Sequence, residues 1–518
     1  MPRVTRTLAA LLMALLLSAP CARAASPTEI EEKLRALQEQ IDTLRQQLEQ
    51  AKAVPVPVAA PAAAPEPTPA PPLTLVPPVA KPSVFSDFRI GGYGSVRFEA
   101  SDLKNLNNTF TFRRFVLTGD ATIAERLRTV VEIEFEHFTE LEVERSAPSE
   151  GGLQGFSQSI EGSNESEISL EQAWMQFTLT DWARFRAGAI LVPLGRFNLN
   201  HDDNRWDLPR RSLVDRGVPV LPATSAWTEI GMGFTGDIPT ADWGTFSYQA
   251  YAMNGVTLDS SIETVARGSG ELEAEVEIAP RRGTANLDVK GDKAGALRIA
   301  WAPAVGHELG LSGYYGRYTP DFLPSEPLWS FAVDGKTTLG PFEIEGEYVL
   351  TRFEGITRVA KGFAQKVGEQ AIETGLVPLN TTVEFELASL ASTKHGYWLD
   401  LRYRFFPDFL RGSVLGRWFE NPQFVVTTRW EQAWLHGLVT EAEFTGSTLV
   451  DLVKEDRFIN RATLGFAYRP VPLVVFQTAF ERTWTNHGKS LAGVTNFLPA
   501  RRTEDTANTL LFGVAFGF

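Results

Sequence analysis

The stretch 510–518 reads Leu-Leu-Phe-Gly-Val-Ala-Phe-Gly-Phe, and its alternation constrains the fold more than any other part of the chain. Successive side chains leave a pleated strand on opposite faces. Leu510, Phe512, Val514, Phe516 and Phe518 therefore share a large apolar face, and Leu511, Gly513, Ala515 and Gly517 a small one. A strand of a soluble sandwich can alternate in the same way. Here the pattern runs to the last residue with no polar tail, which favours a wall strand whose large face meets lipid.

After the first two dozen residues the chain has no long uninterrupted apolar run, which excludes an ordinary helical membrane protein. A barrel wall escapes such a test because lipid-facing and lumen-facing residues cancel along each strand. The division is legible in several strands. Leu127, Thr129, Val131, Ile133 and Phe135 oppose Arg128, Val130, Glu132, Glu134 and Glu136; Phe342, Ile344, Tyr348 and Leu350 oppose Glu343, Glu345 and Glu347. Tyr397, Leu399, Leu401, Tyr403 and Phe405 oppose Trp398, Asp400, Arg402 and Arg404.

Short connections rich in Pro, Asp and Gly are expected at 122–126, 180–183, 239–243, 303–307, 340–341, 407–408 and 470–472. Long ones are expected at 101–108, 139–166, 193–226, 255–294, 319–327, 352–392, 420–456 and 485–502. Seven turns and eight loops predict an all-β transmembrane barrel of about 16 antiparallel strands, with eighteen left open. An even count places both ends of the wall on the short-turn side. A soluble sandwich would need its aromatics to converge on one core, and long structureless loops are unusual in compact domains.

The segment before the wall divides in three. Residues 1–24 carry Arg3 and Arg6, an apolar run and Ala22-Arg23-Ala24, the pattern of a secretory signal peptide. Lipidation of Cys21 is disfavoured by Pro20 before it and Ser18 three positions upstream. Within 26–50, Ile30, Leu34, Leu37, Ile41, Leu44 and Leu48 form an a/d seam, which predicts a short N-terminal coiled-coil helix; an amphipathic helix lying on another surface is the alternative. Residues 51–84 are a Pro/Ala-rich linker, able to span roughly 100 Å if extended at ~3.1 Å per residue. The barrel domain is expected at 85–518.

The formal net charge of −14 argues against a nucleic-acid partner. The histidines, His137, His201, His307, His395, His436 and His487, are scattered and suggest neither a metal site nor a cofactor, only solvated or wall positions. No Gly-x-Ser-x-Gly or comparable local motif marks a nucleophile, so a channel is expected rather than a barrel hydrolase. Envelope tethering through the helix and linker is a third reading.

The final strand resembles the closing strand of bacterial outer-membrane barrels, whose assembly signal ends in an aromatic residue. That resemblance makes Phe512, Val514, Phe516 and Phe518 the expected signal for the barrel assembly machinery. Residues 112–215 resemble the phosphate-selective porin O and P family, through Phe112-Arg113-Arg114, strand 128–135, Leu170-Glu171-Gln172-Ala173-Trp174, Arg186-Ala187-Gly188 with Pro193, and Arg210-Arg211-Ser212-Leu213. The resemblance implies a homotrimer in outer-membrane lipid, with sixteen strands and a third loop folded inward to narrow the channel. With both ends of the wall on the short-turn, periplasmic side, the coiled coil would lie in the periplasm, within reach of peptidoglycan. Phosphate specificity in that family uses an arginine ladder and constriction lysines; lysine is scarce between Phe110 and Lys290, and that specificity is not carried over.

Residues 193–226 are the expected third loop, carrying Arg196, Arg205, Arg210, Arg211 and Arg216 against Asp202, Asp203, Asp207 and Asp215. Arg184, Arg186, Arg298, Arg402, Arg404, Arg411 and Arg417 are expected to face the same lumen, opposed by Glu132, Glu134, Glu136, Glu343, Glu345 and Glu347. Small hydrophilic solutes are the expected cargo. Three outcomes stand open: a preference for anions, a cation-preferring or non-selective pore, or arginines that pair with the loop's own aspartates and only pin it.

Overall fold

The computed structural model describes residues 87–518 apart from 104–107, 137–140, 147–156, 163–166, 216–219, 224–225, 267–271, 282–290, 374–381, 387–389, 446–447, 487–490 and 492–503. The expected signal peptide, coiled coil and linker lie outside the described residues.

One antiparallel wall dominates. Its strands are β1 (Asp87–Ser101), β2 (Thr109–Ala124), β3 (Leu127–Glu136), β4 (Glu167–Thr180), β5 (Ala183–Leu191), β6 (Thr228–Thr240), β7 (Gly244–Met253) and β8 (Ala294–Ala302). They continue as β9 (His307–Arg317), β10 (Pro327–Leu339), β11 (Phe342–Phe353), β12 (Thr393–Phe405), β13 (Gln423–Thr445), β14 (Thr448–Val471), β15 (Val474–Thr485) and β16 (Thr506–Gly517). Each pairs with its sequence neighbour in the wall, and β16 returns to β1, from Tyr93 opposite Gly517 to Ser101 opposite Thr509. The Gly92 and Phe518 backbones exchange hydrogen bonds of 3.2 and 3.1 Å at the end of that seam. The result is a closed sixteen-stranded barrel, which satisfies every strand edge internally.

The two faces are inverted relative to a soluble protein. On β11, Phe342, Ile344 and Tyr348 are exposed while Glu343, Glu345 and Glu347 are buried. On β16, Leu510, Phe512 and Phe516 are exposed, and the small Ala507, Leu511 and Ala515 positions are covered. Apolar side chains face outward and charges inward, the arrangement a transmembrane barrel needs. Phe518 stacks on Phe115 on the outer surface, with centroids 5.8 Å apart.

Two expected connections are corrected. The segment 420–456, read as a loop, is largely the upper part of β13 and β14, whose Leu438 opposes Glu455 and Glu441 opposes Val453. Cross-strand backbone bonds carry this hairpin past the apolar belt, where acidic alternation resembles loop composition. The expected tight turn at Pro407-Asp408 is instead an excursion over 406–422 that contains the 3-10 helix Asp408–Leu410.

Three long connections have structure of their own. Thr257–Ala266 and Leu272–Arg281 form a hairpin, and Leu272–Arg281 pairs in parallel with Thr382–Glu386, which meets β13 at Phe385 opposite Ala442. A second hairpin joins Leu141–Ser146 to Ser157–Gly162. The helix Ile356–Glu373 covers the same rim, burying Ile356, Val359 and Ala360.

Candidate pore constriction

The chain leaves β5 and turns inward at Gly195, whose φ of 69° lies in the left-handed region that favours glycine. A Cβ there would lie 2.3 Å from Glu347 Oε1. The turn opens the short helix Arg196–Leu199, whose first N–H groups have no intrahelical partner. Glu347 on β11 supplies one: its Oε2 accepts from Arg196 N at 2.8 Å and Phe197 N at 2.7 Å. Asn198 ties the two ends of the loop together, donating to Val192 O and accepting from Trp227 N, both at 2.8 Å.

Beyond the helix the loop crosses to the opposite wall. Trp206 stacks on Phe197 at 4.5 Å and meets Trp398 edge-on at 5.4 Å. Asp207 sits between Arg469 at 2.6 Å, Arg404 at 2.9 Å and Arg402 at 3.5 Å. Burial works against its carboxylate, but these three cations hold its pKa below the usual range. Arg210 bridges Glu99 on β1 and Glu481 on β15, at 2.9 and 2.8 Å. Wall arginines also donate to loop carbonyls: Arg97 to Pro209 at 3.0 Å, Arg461 to Arg211 at 3.2 Å and Arg469 to Trp206 at 2.8 Å.

The distal half of the loop is held differently. Leu213, Val214, Val220, Leu221 and Trp227 join an apolar cluster with Trp398, Phe353 and Tyr318 on and above β9–β12. The loop is thus held by ion pairs to β1, β9, β11, β12, β14 and β15 and by apolar contacts that overlap them on β11 and β12.

Of the arginines expected at the lumen, Arg216 lies outside the described residues, and Arg298 binds Asp334 and, at 3.3 Å, Glu308. Arg196 binds Glu308 at 2.8 Å and also Glu345. Arg205 pairs with Asp202 at 2.7 Å and is exposed, and Arg211 reaches Asp203 at 3.4 Å and Asp215 at 3.6 Å. Arg402 contacts Asp400, Glu343 and Glu345, and Arg404 adds Glu343 to Asp207. Two loop arginines therefore pair with the loop's own aspartates, and two with wall glutamates. Arg184 meets Asp237 at 2.8 Å, whereas Arg186 lies 4.0 Å over the Trp174 ring, donates to Gln176 and meets no carboxylate among the described residues.

The acidic candidates differ as well. Glu134 binds Arg114 at 2.5 Å, while Glu132 accepts from Gln172 and Thr118. Glu343 takes Lys336 at 3.0 Å in addition to its arginines.

Three expectations are corrected by position. Arg411 and Arg417 lie on the 406–422 excursion at the short-turn rim, exposed and away from the lumen charges, because that connection folds outward. His201 is neither solvated nor on the wall; it is buried in the loop, with Nε2 at 3.4 Å from Glu171 and Nδ1 at 2.9 Å from Asn198 O. Burial opposes the imidazolium, but Glu171 outweighs it and raises the pKa to about 9.

Arg97, Glu99, Arg461, Arg469 and Glu481, which sequence reading passed over, join the candidate constriction, as does Arg114, which entered only within the Phe112-Arg113-Arg114 motif. Their signal was strand parity: Arg97 and Glu99 alternate with Val96 and Phe98, the latter facing outward. Where the loop meets the wall, Arg210 is 11% and Asp207 1% exposed, whereas Arg205 on the same loop is 58% exposed. Toward the short-turn rim they are wet, with Arg128 at 48% and Asp237 at 47%.

No family model matches the chain. It is 27% identical over 168 residues to an uncharacterized protein of Aquifex aeolicus (strain VF5), a match covering 32% of each chain, so it spans about a third of that relative. Among solved structures, it is similar to the anion-selective porin from Comamonas acidovorans, with a TM-score of 0.44, 9% identity, and coverage of 83% of this chain and 99% of that one. In-vitro folded OmpT, an outer membrane protein of Vibrio cholerae, gives 0.43 and 9%, covering 85% and 99%. The outer membrane channel DcaP of Acinetobacter baumannii gives 0.40 and 9%, covering 83% and 97%.

Proposed function

We propose that this chain is a bacterial outer-membrane porin, a water-filled channel for passive diffusion of small hydrophilic solutes. The observation that carries the reading is a closed barrel with an apolar exterior and a charged interior, narrowed by a loop built into its lumen. Sixteen strands enclose room for such a passage. The loop, fastened by paired charges, limits the size of what passes, and the wet rim around Arg184, Arg186 and Arg128 receives solute. The short-turn rim is assigned to the periplasm, the likeness to the phosphate-selective porins of residues 112–215 supports trimer formation, and the N-terminal segment is assigned a periplasmic coiled coil near peptidoglycan.

Within that reading we assign a preference for anions to Arg186. Its guanidinium stays charged and offers a donor fork to phosphate or carboxylate groups, and among the described residues it meets no carboxylate. A second reading, a non-selective or cation-preferring pore, draws on the inward glutamates of β3 and β11. Purified trimers in planar bilayers under a salt gradient separate the two by the sign of the zero-current potential. Absence of any conductance from a heat-modifiable, folded barrel would overturn the porin assignment, and esterase, phospholipase or protease turnover would favour a barrel hydrolase.

A further inference from the structure

The excursion 406–422 departs from its neighbours on the short-turn rim, where the other connections are tight turns such as those at 125–126 and 340–341. It does not hang into solvent. Its own backbone bonds, Leu410 N to Pro407 O, Arg417 N to Ser413 O and Phe419 N to Gly416 O, fix it as a succession of turns. Leu415 O accepts from the Tyr468 hydroxyl at 2.5 Å, and Phe406 stacks on Phe424 at 5.4 Å. Tyr468 leaves the outer face of β14, because its neighbour Arg469 points inward to Asp207. The excursion is therefore folded back against the outside of the barrel, where the aromatic row of Phe342, Tyr403, Phe405 and Phe424 continues the apolar belt.

What it presents there is chemically mixed. Phe409, Val414 and Trp418 are exposed by 83%, 59% and 66%. The Arg417 guanidinium lies 4.1 Å over the Trp418 ring, while Arg411 is held by Asp408 at 2.9 Å. Exposed aromatic rings beside an arginine suit the boundary between headgroups and acyl chains, where an apolar body and a polar tip are both satisfied.

We propose that residues 406–422 form a foot in the headgroup layer of the adjoining leaflet, with Phe409, Val414 and Trp418 inserted and Arg417 bonded to a phospholipid phosphate. Continuity with the lipid-facing belt selects phospholipid as the occupant, and the proposal rests on the membrane-barrel reading. The foot fixes the depth and tilt of the barrel on the β12–β14 side.

The test uses the full mature chain; the one cysteine of the sequence, Cys21, falls in the expected signal peptide, so each introduced thiol is the single label site. Val414→Cys, Leu311→Cys on the belt and Asp242→Cys on a tight turn are each labelled with an environment-sensitive fluorophore. They are placed in vesicles of phosphatidylethanolamine and phosphatidylglycerol containing shallow or deep nitroxide lipids. The label at 414 should be quenched about twofold more by shallow than by deep nitroxide and shielded from aqueous iodide, as an interfacial segment requires. Quenching by iodide to the extent seen at 242 would overturn the foot, and shielding without lipid quenching would assign the surface to a second copy or another protein. Failure of deep nitroxide to quench 311 would instead overturn the membrane barrel itself. Arg417→Gln should reduce the shallow quenching at 414; an unchanged value would remove the phosphate contact from the proposal.

Discussion

Arg210→Ser tests whether the charges that fasten the loop also face the permeating ion. The guanidinium bridges Glu99 and Glu481, and all three side chains are at most 11% exposed. Arg97 also contacts Glu99, so the native group has two arginines for two glutamates, and the substitution leaves one arginine. The loop should stay in place, because Arg97, Arg461 and Arg469 still donate to its carbonyls at Pro209, Arg211 and Trp206. For an ion passing ~6 Å away in an effective dielectric of about 40, one unit charge contributes ~1.4 kcal/mol. That is about a tenfold change in relative permeability, reduced at high salt as the Debye length falls below about 10 Å. The zero-current potential in a potassium chloride gradient should therefore move toward cation preference, with Arg210→Lys staying near the native value. Unchanged selectivity in Arg210→Ser, with folding verified by heat-modifiable migration, would refute the placement of this cluster on the ion path.

Further perturbations separate loop docking from barrel assembly. Gly195→Ala should loosen the loop, since a left-handed alanine costs about 1–2 kcal/mol and its Cβ would displace the Glu347 carboxylate; higher conductance with unchanged barrel melting is the expected result. His201, on the loop, has its pKa raised, so its contribution to docking is complete below its unperturbed pKa near 6.5 and is lost as pH rises through about 9. Single-channel conductance should rise over that window and lose this dependence in His201→Gln. Phe518→Asp places a charge on the outer face beside Phe115 and should lower the yield of folded protein in outer-membrane fractions; a normal yield would count against the closing strand as an assembly element.

The barrel was legible in the sequence because its strands have a period of two and their faces differ in chemistry. Phe342 against Glu343, or Leu399 against Asp400, reports its side without a neighbour being known. Most of the turn positions and the third loop followed from the same parity, as did the closing strand 510–518. The pairing inside the lumen did not follow, because Arg210 meets Glu99 and Glu481 only after β1 and β15 have been brought together by closure. His201 looked like an isolated histidine until the loop carried it to Glu171, and Arg411 and Arg417 looked like lumen residues until 406–422 folded outward. Local alternation determines which way a strand residue points, whereas the partner of a buried charge depends on contacts between strands hundreds of residues apart, and only the closed barrel decides them.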